Sequence, residues 1–245
     1  MALIRARDMI RAPRHWALIG PRLVGKSTFL TAMAKTILVV DTEGRGREID
    51  GVNNCEVFLP DVLDRQDPLA ISQALRRDAR DIQEAGIQLI AIDSLTPIYK
   101  RMAAEALAKN ERRLNKNKSS AFVDKANAIR LFQDAAVSLG TDVAMIWHYE
   151  TGRDGNGKEI RNQTISEMER QKLARSLNGM IELKREKNRR VARIVWSRAG
   201  GRALQGVEIV DEQGFWKGVP EQIDALFAEA GKRRHEQTPV EAQAS

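Results

Sequence analysis

The chain has 245 residues, 42% of them hydrophobic, which suffices for one α/β domain with additions or for two small domains. Lys and Arg total 40 against 33 Asp and Glu, giving a net charge of +7 and a pI near 9.7, so an anionic partner is favoured, either nucleic acid or a membrane surface. The single cysteine, Cys55, excludes an intrachain disulfide and a cysteine-rich zinc site; no apolar run reaches the roughly 18 residues of a membrane span, and the basic N-terminus lacks a secretory core, so a cytoplasmic protein with no transmembrane helix is expected, its anionic partner taken as nucleic acid and not membrane.

Residues 1–14 are basic with scattered apolar positions, suited to a short helix or strand lying on the core. His15-Trp16-Ala17-Leu18-Ile19 is short and apolar, as a buried first strand should be. Gly20-Pro21-Arg22-Leu23-Val24-Gly25-Lys26-Ser27 follows and fits G-x-x-x-x-G-K-[ST], and residues 27–35 can form a helix. The strand–loop–helix setting is the one this motif requires. Its glycines let successive N–H groups turn inward and, with the positive end of the helix, cradle a phosphate. Gly20, Pro21, Arg22, Leu23, Val24, Gly25, Lys26, Ser27 and Thr28 therefore form the expected ATP site. Lys26 brings a point charge to the β- and γ-phosphates, and the Ser27 hydroxyl can ligate Mg²⁺.

Thr36-Ile37-Leu38-Val39-Val40 is a β-branched buried strand that ends abruptly in Asp41-Thr42-Glu43-Gly44. A weaker strand follows at 56–59. Residues 68–85 have helical spacing, ended by Gly86. Residues 87–92 form the next buried strand, with Asp93-Ser94 at its carboxyl end. Helices are expected over 97–118 and 121–139, the second stopped by Gly140, and a strand over 142–147 ending at His148. Residues 150–164 are polar and glycine-rich, which predicts a mobile loop. A helix over 165–177, an antiparallel pair over 179–185 and 190–197 turning at Lys187-Asn188, and a helix over 220–231 complete the pattern, with a disordered tail of about fourteen residues.

Strands alternating with helices imply a mainly parallel sheet, with the ligand at the carboxyl ends of the strands. Glu43, Asp93 and His148 each follow a predicted strand at that edge, where the phosphate loop also opens. Asp93 can orient water on Mg²⁺, completing a site begun by Ser27, or it can cap the following helix. Many ATPases carry a Glu directly after this Asp; here that place is Ser94, so the water-activating group must come from elsewhere. Glu43 is the candidate, the alternative being a solvated loop acid. His148 suits a γ-phosphate sensor or a structural histidine.

Two stretches concentrate positive charge. Over 100–118, Lys100, Arg101, Lys109, Arg112, Arg113, Lys116 and Lys118 face Glu105 and Glu111. Over 184–202, Lys184, Arg185, Lys187, Arg189, Arg190, Arg193, Arg198 and Arg202 face Glu186. Such charge can follow a nucleic-acid backbone, or form solvated surfaces. Aromatic content of 5% argues against base-specific reading, so backbone binding, single-stranded DNA included, is the expectation.

Over roughly residues 12–205 these motifs resemble a RecA-like P-loop ATPase, and more narrowly the phage-type nucleotide-binding proteins of the RecA-like AAA group, which often carry an Asp-Thr-Glu-Gly stretch like 41–44. Some of those act in single-strand annealing and homologous recombination. The resemblance implies an α/β fold with a mainly parallel central sheet flanked by helices and a C-terminal antiparallel hairpin. It assigns phosphate and Mg²⁺ to Lys26 and Ser27, water activation to Glu43, the metal to Asp93 and a sensor to His148. The segments 100–118 and 150–164 would face DNA. Trp196-Ser197-Arg198-Ala199-Gly200 resembles the Lys-x-Arg-x-Gly segment of ring helicases, with Trp196 in place of the Lys; Arg198 would then reach the nucleotide of a neighbour in a homo-oligomer.

The expected organisation is an ATPase domain over 1–220 and a C-terminal helix and tail over 221–245. The expected function is a DNA-stimulated ATPase of phage-type recombination or repair, working in the cytoplasm of a bacterial host if phage-derived. A RecA paralogue that uses ATP as an assembly switch and a small-molecule phosphotransferase with a lid over 100–118 are the alternatives.

Overall fold

A computed structural model describes residues 13–112, 118–153, 155, 159–163, 165 and 167–236. Six strands form a parallel sheet: β1 (His15–Gly20), β2 (Thr36–Asp41), β3 (Glu56–Phe58), β4 (Leu89–Asp93), β5 (Asp142–Arg153) and β7 (Gly179–Glu186), in the order β3-β2-β4-β5-β1-β7. Two antiparallel strands, β8 (Arg189–Ser197) and β9 (Glu208–Val210), extend it beyond β7. This is the expected α/β class, a mainly parallel sheet with a C-terminal antiparallel hairpin.

The strands are β-branched and apolar on both faces because both faces are covered. Alternate residues enter two separate cores. Ala17, Ile19, Leu38, Val40, Ile90, Ile92, Val143 and Met145 face one core, and Trp16, Leu18, Ile37, Val39, Leu89, Ala91, Ala144 and Ile146 face the other. The first core is closed by α2 (Pro68–Arg77), α3 (Ala79–Glu84), α4 (Leu95–Glu111), α5 (Lys118–Val137) and α6 (Glu167–Leu173). The second is closed by α1 (Lys26–Met33) and α7 (Val219–Glu236).

Three expectations change. The helix over 68–85 breaks into α2 and α3 at Asp78, whose φ of −94° and ψ of 11° leave the helical region. The loop expected over 150–164 is largely a ribbon: β5 runs to Arg153 and pairs antiparallel with β6 (Glu159–Gln163). Tyr149, Thr151 and Ile160 favour extended backbone, Gly152 and Asn162 are carried within the paired arms, and of the intervening residues 154–158 Gly155 alone is described. The basic segment 100–111 belongs to α4, inside the helix expected over 97–118, and residues 113–117 lie outside the described residues. Finally, α7 continues past Gly231 through Lys232 to Glu236, because a side-chain-free position on an open face is tolerated there and the basic residues suit a helix C-terminus. Residues 237–245 of the expected tail lie outside the described residues, as do residues 1–12. Strand β9 was not legible in its three residues.

Helix α7 shares the second core. Val219 and Ile223 are fully buried, Phe227 meets Trp16 edge-on at 5.9 Å, and Asp224 binds the Arg14 guanidinium. Among the described residues no helix is long and apolar enough to cross a membrane.

Candidate active site

Register fixes which residues meet at the carboxyl edge. Asp41 of β2 stands opposite Asp93 of β4, and Gly20 of β1 opposite His148 of β5. The phosphate loop leaves β1 there and enters α1 through Gly25, which caps the helix in the left-handed region at φ 93° and ψ 33°. Gly20 has no room for a side chain either, since a Cβ would lie 2.3 Å from the Leu183 carbonyl oxygen.

Lys26 is 5% exposed, and its ammonium folds back on the loop, donating to the carbonyls of Gly20 (3.1 Å) and Pro21 (2.6 Å). Burial pulls its pKa down to about 8, against the attraction of Asp93 and Glu43. The Ser27 hydroxyl donates to Asp93 Oδ2 at 2.5 Å. Asp93 keeps some solvent contact but lies deep among protein atoms; that burial, with the Glu43 charge adding to it, pushes its carboxyl up to about 6 despite Ser27 and Lys26. Asp93 makes no cap to α4, whose N-cap is Ser94.

The stretch 41–44 is a small machine for holding Glu43. Asp41 is buried and accepts three backbone N–H groups, from Glu43 (3.2 Å), Gly44 (2.7 Å) and Gly46 (2.7 Å), so it bends the chain sharply after β2. Thr42 and Ser94 clasp the two strand ends: the Thr42 hydroxyl donates to the Ser94 carbonyl and accepts from the Ser94 N–H, both at 2.8 Å. Glu43 Oε1 then accepts from the Ser94 hydroxyl at 2.8 Å and meets His148 Nε2 at 2.9 Å. Since an ionised carboxylate only accepts, Nε2 carries the proton. Burial works to raise the Glu43 pKa, but the hydrogen bonds from Ser94 and His148 outweigh it and hold the group below its ordinary value. Burial and the Lys26 charge lower the His148 pKa, against Glu43. The pair is thus a carboxylate and a neutral imidazole at neutral pH.

Both donors reach Oε1, and among the described residues none reaches Oε2. One carboxylate oxygen is anchored and the other is left to accept from water. Ser94, in the position where many ATPases carry the acid itself, positions an acid delivered from the neighbouring strand. The contacts Ser27–Asp93 and Ser94–Glu43–His148 therefore join the start of α1 to β2, β4 and β5 at the carboxyl edge of the sheet.

A family model described as an AAA domain matches residues 12–199. The chain belongs to the AAA domain family. No curated protein matches its sequence. An AAA domain is a nucleotide-binding, P-loop ATPase-type fold, and the cleft fits that ligand in its own terms. Among the described residues the buried Lys26 ammonium bonds to loop carbonyls and not to a carboxylate, and the Asp93 carboxylate accepts from one hydroxyl. A polyphosphate answers the first, and a divalent cation beside Ser27 and Asp93 answers the second.

The structure does not bring Arg198 into this AAA cleft. Strand β8 runs antiparallel to β7, so Ser197 pairs with Gly179 at the amino edge, and Arg198 follows there, exposed, with its guanidinium on the carbonyls of Ala174 (3.1 Å) and Arg175. Nor does the hairpin present all the charge counted over 184–202. Lys184 lies between Glu186 and Glu208 (2.5 and 2.6 Å), Arg190 near Asp211 (3.8 Å) and Arg193 near Glu182 (4.0 Å). Glu208, Asp211 and Glu182 come from other strands or from beyond the stretch, so a local count could not see them. Lys187, Arg189 and Arg202 are exposed and form no ion pair among the described residues. On α4, Arg101 is engaged by Asp64 and Glu105. Sequence reasoning missed Asp41, Thr42 and Trp216. Asp41 and Thr42 lie inside the quoted Asp-Thr-Glu-Gly stretch, which was the available signal; Trp216 had none.

Proposed function

We propose that the protein is an ATPase in which Lys26 and the phosphate loop bind the nucleotide and Glu43 activates the attacking water. The observation that carries this is the Glu43 carboxylate, anchored through one oxygen by Ser94 and His148 and open at the other, beside the Ser27–Asp93 pair. Glu43 Oε2 takes the proton of the attacking water, and His148 and Ser94 keep that oxygen aimed. Ser27 and Asp93 would hold Mg²⁺, whose chemistry there is neutralisation of charge on the β- and γ-phosphate oxygens. His148, which touches Glu43 and begins the projecting part of β5, is suited to pass the state of the γ-phosphate to the β5–β6 ribbon.

The substrate polymer in this reading is single-stranded DNA, and the setting is phage-type recombination in a bacterial cytoplasm. Support comes from the family resemblance, the net charge of +7 and the exposed cations. The tip of the β7–β8 hairpin, with Arg185, Lys187 and Arg189 exposed, lies at the same edge as the phosphate loop because β7 is parallel to β1. The chain acts as a homo-oligomer, and any contact of Arg198 with a γ-phosphate is with that of a neighbouring subunit.

Steady-state ATP hydrolysis with and without single-stranded DNA, at low and high salt and with Lys26→Ala as the blank, tests the reading. Salt-sensitive stimulation is expected. The engagement of Glu43 by two donors favours a second reading, ATP as an assembly switch, and that reading gains if ATP drives oligomers without turnover. Phosphate transfer to an acceptor other than water would overturn both.

A further inference from the structure

Residues 206–218 carry no motif, yet they reach the phosphate loop. Trp216 is fully buried, and its indole Nε1–H donates to the Gly25 carbonyl at 2.9 Å. The same oxygen accepts the Phe29 N–H at 2.9 Å, the first hydrogen bond of α1. The Gly25 carbonyl and the Lys26 N–H belong to one peptide unit, and in a trans peptide the two point in opposite directions. Pinning the carbonyl toward Trp216 therefore aims the Lys26 N–H to the other side of the loop, the side on which N–H groups gather around a phosphate.

The indole is itself held. It meets the Phe29 ring edge-on at 5.5 Å. Its backbone N–H donates to Asp211 at 3.1 Å, and Asp211 faces Arg190 of β8. The preceding carbonyl, of Phe215, accepts the Asn53 amide at 2.9 Å, and that amide also donates to Thr31 of α1 at 3.0 Å. Phe215 and Trp216 both adopt positive φ, 53° and 63°, which bulky residues avoid, so the segment is shaped by these contacts rather than by local preference. A Cβ on Gly25 would come within 3.0 Å of Nε1, so the glycine is also what admits the indole.

We propose that Trp216 is a positioning residue for the nucleotide: its indole N–H fixes the Gly25 peptide and so holds the Lys26 N–H toward the phosphate. The proposal rests on the nucleotide reading of the loop. Trp216→Phe keeps an aromatic ring in the core and deletes the donor. In a folded Trp216→Phe protein, checked by circular dichroism, the dissociation constants of Mg-ATP and Mg-ADP by titration calorimetry should rise about three- to tenfold, the range of one hydrogen bond. Turnover at saturating ATP should stay within about twofold, because the N–H acts on binding and the Glu43 pair is untouched. Asn53→Ala, a partly exposed change that unties Phe215 from α1, should weaken both nucleotides by about twofold and decides the matter if Trp216→Phe does not fold. Unchanged affinity in the folded variant overturns the positioning role alone. A wild-type protein that binds neither nucleotide overturns the nucleotide reading, and the role with it.

Discussion

At the amino edge of the sheet Arg14 is 6% exposed, and at the carboxyl edge Lys26 is 5% exposed, so both ends of one sheet bury a cation. Their surroundings differ. Arg14 binds Asp224 through Nε at 2.8 Å, donates to the Met33 carbonyl at 2.7 Å, stands 3.7 Å from Asp142 and lies over the Trp16 ring, while its own N–H donates to Asp142. Every charge there has a counter-charge, and the cluster joins β1, α1, α7 and the start of β5. Lys26 has two carbonyls of its own loop, and Asp93 has a single hydroxyl. The amino edge is a lock that is complete within the chain. In the proposed function the complement of the charge at the carboxyl edge is the nucleotide and its metal, a reading with which the displaced pKa values of Lys26 and Asp93 accord.

The largest contrast comes from breaking the lock. Arg14→Met takes the cation from buried Asp142 and half-buried Asp224 and should cost about 3–5 kcal/mol in denaturant unfolding. ATP affinity in the folded fraction should be unchanged; a weakened affinity would mean that the lock also shapes the nucleotide site.

Asp93→Asn should do the reverse, removing activity while stabilising the free protein. A carboxyl raised from 3.8 to about 6 favours its protonated form in the folded state. Its penalty is therefore absent below about 4 and complete above about 6. The variant should gain on the order of 1–2 kcal/mol at pH 8, shrinking as the pH falls from 6 toward 4. An equal gain at every pH would refute the assignment.

A smaller effect is the pH profile. Loading the site requires Asp93 ionised and Lys26 charged. The kcat/KM for ATP should fall below about pH 6 and above about pH 8, with slopes of about one decade per pH unit. A profile flat from 5 to 9 would remove both groups from the free-enzyme titration. The smallest effect is expected at Arg198, which is exposed and bound to carbonyls of its own chain. Arg198→Ala should change stability by at most about 0.5 kcal/mol and leave ATP affinity intact. A loss of affinity would show instead that Arg198 reaches the nucleotide of a neighbouring subunit.

The phosphate loop and the buried strands were legible because their signals are local: a spaced glycine motif and β-branched runs of five or six residues. So was the gathering of Glu43, Asp93 and His148, since a parallel sheet puts successive strand tips on one edge. What the sequence hid were partnerships across the fold. Thr42 and Ser94 clasp across 52 residues, and Trp216 reaches Gly25 across 191. Neither has a fixed spacing that could mark it. The charge count was misled in a similar way, because Glu182, Glu208 and Asp211, which face hairpin cations, lie outside the stretch that was counted. The ribbon over 150–163 was hidden by composition, because its arms read as polar and carry a glycine, Gly152, that pairs within the strand.

The central claim is that Glu43, held by Ser94 and His148, activates the water. Single-turnover hydrolysis of bound ATP by Glu43→Gln, with ATP affinity measured on the same protein, tests it most directly. The account predicts affinity within about threefold of wild type and hydrolysis slower by about 10²–10⁴-fold, the range of a lost general base. Hydrolysis at the wild-type rate in a variant that binds ATP normally would contradict it.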